Sequence, residues 1–152
     1  MRAMVLRRPG PADGSGPLVE EDRPQPRPGP GELLLRVAAC AVCRTDLQLA
    51  EGDLPARRLP VVPGHQAVGT VVGVGPDVEG WREGDRAGAY WLAASCGRCP
   101  FCRGGRENLC ARAELTGWDR DGGFAEAMLV RADTAARLPG GPDAVTLAPL
   151  LC

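Results

Sequence analysis

The feature that most constrains the fold of this chain is a set of four closely spaced cysteines: Cys96, Cys99, Cys102 and Cys110. Thiolates at this spacing can surround one tetrahedral zinc ion, whereas two disulfides or unpaired core thiols are the alternative interpretations. The segment 95–112 has little apolar periodicity, so we expect a metal rather than a hydrophobic core to organise it as a lobe. Because protein ligands would occupy all four positions, the predicted zinc site is structural.

Composition sets the class of protein around this lobe. The chain has 152 residues, 44% of them hydrophobic, which fits one globular domain over residues 1–152 with a core of its own. Its 18 basic and 19 acidic residues give a net charge of −1, which argues against nucleic acid or a membrane surface as a partner. All the basic residues are arginine. A GC-rich genome explains this more simply than phosphate binding does.

The N-terminal sequence predicts the compartment. Residues 1–10 lack the apolar core of a signal peptide, and no apolar run approaches the roughly 20 residues that span a bilayer. We therefore expect a cytoplasmic protein that does not enter a membrane. Thiols stay reduced in that compartment, which favours metal binding or catalysis over disulfides for the seven cysteines.

Short β-strands separated by turns dominate the predicted secondary structure. The 21 glycines and 15 prolines are scattered as turn residues. Helices are predicted at 42–50, beginning near Cys43, and from Pro142 within 142–151, where Pro149 interrupts the pattern. Residues 10–31 are predicted to form an exposed connection. Strands are predicted at 2–7, 32–39, 66–74, 85–91 and 123–130. This pattern favours a mainly antiparallel β-barrel or sandwich.

A second group of metal-ligand residues is dispersed along the chain. Cys43 follows a predicted strand, His65 is the single histidine and precedes the strand at 66–74, and Cys152 follows Ala148-Pro149-Leu150-Leu151. Two cysteines and one histidine are the ligand set of an open, catalytic zinc site. The alternative for a lone histidine is a structural, hydrogen-bonded residue.

Four motifs occur in the order found in one enzyme family. They are Val42-Cys43-Arg44-Thr45-Asp46-Leu47, Pro63-Gly64-His65, the four-cysteine lobe and Ala148-Pro149-Leu150-Leu151-Cys152. Over essentially its whole length the chain resembles the N-terminal, GroES-like catalytic domain of zinc-dependent medium-chain alcohol dehydrogenases. The resemblance implies a mainly β, GroES-like, partly open β-barrel with short helices and a zinc-binding lobe. It also implies that a complete member is roughly twice this length and has a second, nucleotide-binding domain.

The resemblance assigns roles to residues around the second group. Cys43, His65 and Cys152 would hold the catalytic zinc, in addition to the structural zinc of the lobe. Thr45 would hydrogen-bond the substrate hydroxyl and start a proton relay. Asp46 would fix the tautomer of the histidine from behind the metal.

Three further residues receive roles, each with a simpler alternative. Arg44 would meet the cofactor pyrophosphate, or it is a solvated surface arginine. Trp91 and Leu92 would line the substrate pocket, and core packing is an equally good interpretation of both.

The sequence departs from the family pattern at two glutamines. Gln66 follows the ligand histidine where many members carry glutamate, so a carboxylate that can approach the metal is replaced by an amide. Gln48 stands where a relay histidine is often found. Because an amide does not titrate, proton release would use water or another route, with an altered pH dependence.

The function implied by the resemblance is NAD(P)-linked interconversion of a small alcohol with an aldehyde or ketone. The only glycine pattern that approaches a dinucleotide fingerprint is Gly73-Val74-Gly75, and Pro76 follows it within a strand–turn–strand stretch. We therefore expect the Rossmann domain to be absent and the isolated chain to be inactive. A separate chain that carries the missing nucleotide-binding half is one possible partner. The alternative function is a non-catalytic zinc-binding β module or interaction domain.

Overall fold

The computed structural model of the chain describes residues 1–11 and 16–152. Within them the fold consists mainly of strands: β1 (Arg2–Leu6), β2 (Leu18–Asp22), β3 (Glu32–Ala41), β4 (Gln66–Val74), β5 (Arg86–Ala89), β6 (Leu92–Ala94), β7 (Glu114–Leu115), β8 (Ala127–Arg131) and β9 (Ala136–Arg137). The helices are short: α1 (Arg44–Glu51), α2 (Pro100–Arg103) and α3 (Ala144–Leu147), with 3-10 turns at Glu107–Leu109 and Ala148–Leu151.

A five-stranded antiparallel sheet in the order β8-β3-β4-β5-β9 forms the centre of the molecule. Two antiparallel pairs, β1-β2 and β6-β7, lie outside it. The described strands do not close into a full barrel, which confirms the mainly β, partly open architecture expected from the sequence. The register of the two central strands places Ala41 opposite Gln66 and so brings the end of β3 beside the start of β4.

Apolar residues on one side of the sheet form the main core. Leu33 and Leu35 of β3 alternate along the strand and are fully buried, together with Val71 of β4 and Met128 of β8. A separate apolar group, made of Leu6, Leu49 and Val61, packs β1 against α1. Each such buried leucine contributes about 1.5–3 kcal/mol. These contacts fix the position of α1 relative to the sheet.

The predicted exposed connection at 10–31 was partly wrong. It contains β2, whose five residues pair in register with β1, from Arg2 opposite Asp22 to Leu6 opposite Leu18. The sequence of β2, Leu-Val-Glu-Glu-Asp, is too acidic to indicate a strand by itself. Pairing with the apolar β1 supplies what the local propensity lacks. Residues 12–15 of this prediction lie outside the described residues.

Two other predicted strands have different limits. The strand predicted at 85–91 ends at Ala89, and a break at Tyr90 and Trp91 separates β5 from β6. The strand predicted at 123–130 begins only at Ala127. The stretch before it instead bonds to the loop that precedes β4 and to β1, as in the hydrogen bond from Phe124 N–H to Pro63 C=O at 3.0 Å. By contrast, β4 matches its predicted limits.

The two predicted helices are both present but short. Helix α1 begins one residue after Cys43 and ends at Gly52, which adopts the left-handed conformation typical of a helix C-terminus. At 142–151 the chain forms α3, whose N-cap Asp143 accepts a hydrogen bond from Thr146 N–H, and then a 3-10 turn that includes Pro149. Proline cannot continue the α-helical hydrogen bonding. Among the helices of residues 1–11 and 16–152, none has the length and apolar character needed to cross a membrane.

Close backbone packing at Gly122 holds the loop that carries His65. Gly122 N–H donates to Val62 C=O at 2.7 Å, and a Cβ atom at Gly122 would lie 2.1 Å from the carbonyl oxygen of Gly64. We therefore expect Gly122→Ala to destabilise the protein by about 3 kcal/mol, because a backbone carbonyl cannot move aside as a side chain can. For a chain of this size, that corresponds to a decrease in Tm of roughly 6–12 °C in thermal unfolding.

Gly140→Ala is the matched control, since nothing lies within 4 Å of the Cβ position there. Its Tm should stay close to that of the parent chain. Equal Tm values for the two variants would show that the backbone does not pack closely at Gly122.

Candidate metal centres

The four cysteines of the lobe converge on one point. Cys99 is the N-cap of α2, Cys102 lies within that helix, and Cys96 and Cys110 come from the segments on either side. All four Sγ atoms lie within 4.8 Å of one another. The Cys99–Cys102 and Cys96–Cys102 sulfur distances are 3.5 and 3.9 Å. A tetrahedral zinc ion with 2.3 Å bonds requires sulfurs about 3.8 Å apart, so this donor set fits zinc.

Hydrogen-bond donors in the lobe favour the thiolate form that binds metal. The backbone N–H of Arg98, followed by the side chain of Arg112, lowers the pKa of Cys96 to about 5. The hydroxyl of Ser95 makes the largest contribution to lowering the pKa of Cys102. The pKa of Cys99 is raised instead: the backbone N–H of Cys102 lowers it, but burial and the sulfurs of Cys102 and Cys96 outweigh that donor. Negative charge is thus stabilised on Cys96 and Cys102 before any metal is considered.

The seventh cysteine provides a contrast. Cys40 belongs to neither cluster, and burial raises the pKa of its thiol to about 12. All seven cysteines are free thiols in the structure, and the sulfur distances in the lobe are well beyond the roughly 2.0 Å of a disulfide bond. The geometry therefore favours a metal site over the two-disulfide interpretation.

The tertiary structure also brings Cys43, His65 and Cys152 together, and we call these three residues the second cluster. Their ligand atoms lie within 4.8 Å of one another, and the two sulfurs are 3.7 Å apart, close to the edge of a tetrahedron around zinc. Cys43 precedes α1, His65 precedes β4, and Cys152 follows the last 3-10 turn. Three protein donors leave the fourth position of a tetrahedral metal open to another ligand.

A single buried carboxylate organises this cluster. Asp46 in the first turn of α1 accepts hydrogen bonds from Cys43 N–H at 2.8 Å and Gly64 N–H at 3.2 Å. Its Oδ1 atom also lies 3.2 Å from Nδ1 of His65. A carboxylate at Nδ1 holds a proton on that nitrogen and leaves Nε2 free to bind a metal. The role of Asp46 in fixing the tautomer of His65 stays a prediction.

The groups around the cluster shift the pKa values of His65 and Cys43. Burial disfavours protonation of His65, but the hydrogen bond and negative charge of Asp46 outweigh it, so the pKa of His65 is raised. The backbone N–H of Thr45 makes the largest contribution to lowering the pKa of Cys43. A histidine oriented by a carboxylate and a stabilised thiolate are suitable metal ligands.

The other residues predicted near the second cluster differ in how deeply they are buried. The Oγ1 atom of Thr45 is 3.8 Å from Cys43 Sγ. Gln66 is buried at the start of β4. The pKa of Cys152 is raised, first by its hydrogen bond with Cys43 and then by burial, and hydrogen bonding from the Gln66 side chain offsets only part of this. Gln48 is half-buried one turn after Thr45 on α1. Arg44 is exposed, and its nearest acidic partner is Asp53 at 3.9 Å.

Trp91 and Leu92 both lie beside the cluster. The Trp91 and His65 rings meet edge to face with centroids 4.8 Å apart. Trp91 and Leu92 also line a cavity of about 490 Å³ that reaches Cys152. Sequence reasoning missed Trp118, which stacks on Trp91 with centroids 5.8 Å apart. No local pattern connects two tryptophans so far apart in the sequence.

Comparison with known proteins identifies the family. Residues 29–140 match the family model described as the alcohol dehydrogenase GroES-like domain. The chain belongs to this family. The matched range contains Cys43, His65 and the four-cysteine lobe. Cys152 lies beyond it, so its place in the second cluster follows from the three-dimensional structure.

Relatives of this GroES-like domain are longer proteins. The Mycobacterium tuberculosis (strain CDC 1551 / Oshkosh) protein "Probable alcohol dehydrogenase AdhA" is 51% identical over all of this chain, which covers 45% of it. A thermostable alcohol dehydrogenase from Pyrobaculum aerophilum superposes with a TM-score of 0.88 at 32% identity, covering 99% of this chain and 44% of that one. The chain thus spans somewhat less than half the length of these relatives.

A third similar structure contains a nicotinamide cofactor. It is a Sinorhizobium meliloti 1021 protein described as a zinc-binding dehydrogenase and bound to NADP. It has a TM-score of 0.81 and 38% identity, covering 94% of this chain and 40% of that chain. A structure similar to nearly all of this chain has therefore been solved with NADP bound.

Proposed function

We propose that residues 1–152 are the metal- and substrate-binding part of a zinc-dependent alcohol dehydrogenase that interconverts small alcohols with aldehydes or ketones. The observation that carries the proposal is the convergence of Cys43, His65 and Cys152, with ligand atoms within 4.8 Å of one another and one coordination position left over. The four-cysteine lobe would hold a second, structural zinc. Family membership and the relatives named alcohol dehydrogenase support this chemistry.

The residues of the second cluster would hold zinc through Cys43 Sγ, Cys152 Sγ and His65 Nε2. When bound there, zinc supplies a Lewis acid that polarises the oxygen of an alcohol or carbonyl compound. Asp46 orients the histidine through Nδ1. Thr45, with its hydroxyl 3.8 Å from Cys43 Sγ, would hydrogen-bond the substrate oxygen.

The proton released on alcohol oxidation would pass first to Oγ1 of Thr45. Gln48 follows one turn later on the same face of α1, where side chains at this spacing are neighbours. Its amide can accept a hydrogen bond but does not titrate, so the proton would continue to solvent through water rather than rest on this side chain. Gln66, buried beside Cys152, would contact a ligand thiolate without competing for the metal as a carboxylate would.

We place the nicotinamide on residues outside 1–152, with Arg44 directed at its pyrophosphate. Arg44 is exposed and at 3.9 Å makes only a loose ion pair with Asp53, so its guanidinium is available for a phosphate. Trp91 and Leu92 would form the wall of the substrate pocket along the cavity that reaches Cys152. In this proposal the 152-residue chain alone shows no turnover, because hydride transfer requires the cofactor.

A chimera tests the proposal directly. Residues 1–152 would replace the matching part of the Mycobacterium tuberculosis relative, which is 51% identical over this whole chain. We expect NAD(P)-dependent alcohol oxidation by the chimera and none by the isolated chain. Cys43→Ser should lower kcat/KM by more than about 100-fold, since changes behind a metal ligand alone cost 10–100-fold.

Cys40→Ser is the matched control, because this half-buried thiol lies three residues before Cys43 but belongs to neither cluster. It should retain the activity of the chimera. A folded chimera that binds two zinc ions and oxidises no primary or secondary alcohol would contradict the proposal. Nicotinamide-dependent turnover by the isolated chain would contradict the placement of the cofactor.

A further inference from the structure

A continuous column of side chains connects the buried ring of His65 to the protein surface. His65 contacts Trp91 edge to face at a centroid distance of 4.8 Å. Trp91 stacks on Trp118 at 5.8 Å with an angle of 22° between the rings. The guanidinium of Arg57 lies 4.0 Å from the centre of the Trp118 ring. This aromatic column brings together residues from four separate segments and ends at a ligand of the second metal cluster.

Contacts at the edge and on the face of the indole fix the position of the Trp118 ring. Its Nε1–H donates to the carbonyl of Pro55 at 3.0 Å. It packs against the apolar group of Leu6, Leu49 and Val61, as do Leu54 and Ala56, which flank Pro55. The loop that supplies Pro55 and Arg57 therefore contacts both the edge and the face of the indole. Stacking of this kind favours one ring orientation beyond what area burial alone provides.

Arg57 is itself fixed over the ring. Its Nη1 atom lies 3.1 Å from Oδ2 of Asp119, and the same oxygen accepts a hydrogen bond from Leu115 N–H at 2.9 Å. The side chain of Arg57 is 51% exposed, so the ion pair by itself contributes little to stability. What it does provide is a defined position for the cation on the face of Trp118.

At its buried end, the aromatic column contacts the imidazole ring of His65, whose orientation affects metal binding. The His65 side chain is only 4% exposed, with Asp46 at Nδ1 and Trp91 against the ring. These two contacts act on different parts of the imidazole, because a hydrogen bond sets the tautomer and direction while the indole limits tilting of the plane. Residues that orient a ligand histidine affect metal binding without touching the metal.

We propose that Arg57 is a positioning residue, which locks Trp118 onto Trp91 and thereby holds the His65 ring in its metal-binding orientation. The inference rests on the proposed function for the identity of the metal site, but the contacts that carry it run outward from that site to the surface. Its consequence is that a cation on the surface tunes the affinity of a buried metal cluster.

The 152-residue chain itself serves for the test. The lobe is first filled with zinc, and Co²⁺ is then titrated into the second cluster while its visible absorption is followed. Arg57→Ala should weaken Co²⁺ binding by about two- to fivefold, the range expected for loss of an exposed cation–π contact. It should also reduce the near-ultraviolet circular dichroism of the stacked indoles. Arg57→Lys keeps a cation over the ring and should recover part of both signals.

Arg58→Ala is the matched control. Arg58 is the next residue, is similarly exposed at 46%, and pairs with Asp121 at 3.5 Å, but no aromatic ring lies under it among the described residues. Parent-like Co²⁺ affinity and circular dichroism in this variant support the inference. Equal effects of the two substitutions would overturn it, as would an Arg57→Ala chain with a changed indole signal and unchanged Co²⁺ affinity. Because neither readout involves turnover, an inactive chimera would count against the proposed function alone.

Discussion

Replacement of Cys102 by serine is expected to remove the metal from the lobe and to unfold that part of the chain locally. Cys102 is the most central ligand, with sulfur neighbours at 3.5 Å and 3.9 Å in Cys99 and Cys96. Metal binding in structural zinc sites is worth on the order of 10–16 kcal/mol at pH 7, and it is coupled to folding of the surrounding segment. A segment without an apolar core of its own has little else to stabilise it.

Metal analysis and hydrogen exchange measure this effect together. The zinc content should fall from about two to about one per chain, in line with the closed ligand set of a structural site. Amides of residues 95–113 should lose protection while those of β3 and β4 keep it. Cys40→Ser is the control, since its thiol lies outside both clusters. Retention of two zinc ions and of protection in Cys102→Ser would contradict the assignment of this lobe.

Removal of the Asp46 carboxylate should have the largest effect on the second cluster. This side chain is 6% exposed and accepts from Cys43 N–H and Gly64 N–H while it contacts His65 Nδ1. In Asp46→Ala all three donors lose their partner in a buried site. We expect a decrease of about 3–5 kcal/mol in the free energy of unfolding, as for other broken buried pairs. Urea denaturation of the zinc-loaded chain measures it.

Two further variants show where this effect originates. Asp53→Ala removes an exposed carboxylate whose ion pair with Arg44 is 3.9 Å long, and should change stability by less than about 0.5 kcal/mol. Asp46→Asn retains one acceptor oxygen. The decrease in its free energy of unfolding should therefore lie between those of Asp46→Ala and Asp53→Ala. If Asp46→Ala were as stable as Asp53→Ala, the buried hydrogen bonds would not be holding the histidine loop to α1.

The sequence by itself was sufficient for the four-cysteine lobe and for β4. The lobe is local: its ligands lie on one short segment whose spacing alone matches the geometry of a tetrahedral ion, and the structure brings the same four sulfurs together. Strand β4 has the β-branched composition of a buried strand, so propensity and burial agree. Where a local pattern conflicts with a tertiary contact, as in the acidic β2, the contact decided the structure.

For the second cluster, the family resemblance was needed to connect the three residues. The spacing of Cys43, His65 and Cys152 in the sequence does not specify the distances between their ligand atoms. The sheet register decides them: pairing of Ala41 with Gln66 places the residues after β3 and before β4 side by side. Helix α3 and the last 3-10 turn then pack on Val68 of β4 through Leu147 and Ala148, and so bring Cys152 to the same place.

The aromatic column is the part that only the tertiary structure decided. Arg57, Trp91 and Trp118 belong to different turns, and each by itself is typical of an ordinary surface or core residue. Stacking depends on ring distance and angle, which backbone packing sets after the chain has folded. The types and the spacing of the amino acids therefore determined which metal and which family to expect from this protein, since ligand chemistry is a property of residue type. Tertiary packing alone decided which side chains orient the ligands, since orientation is a property of contacts between distant segments.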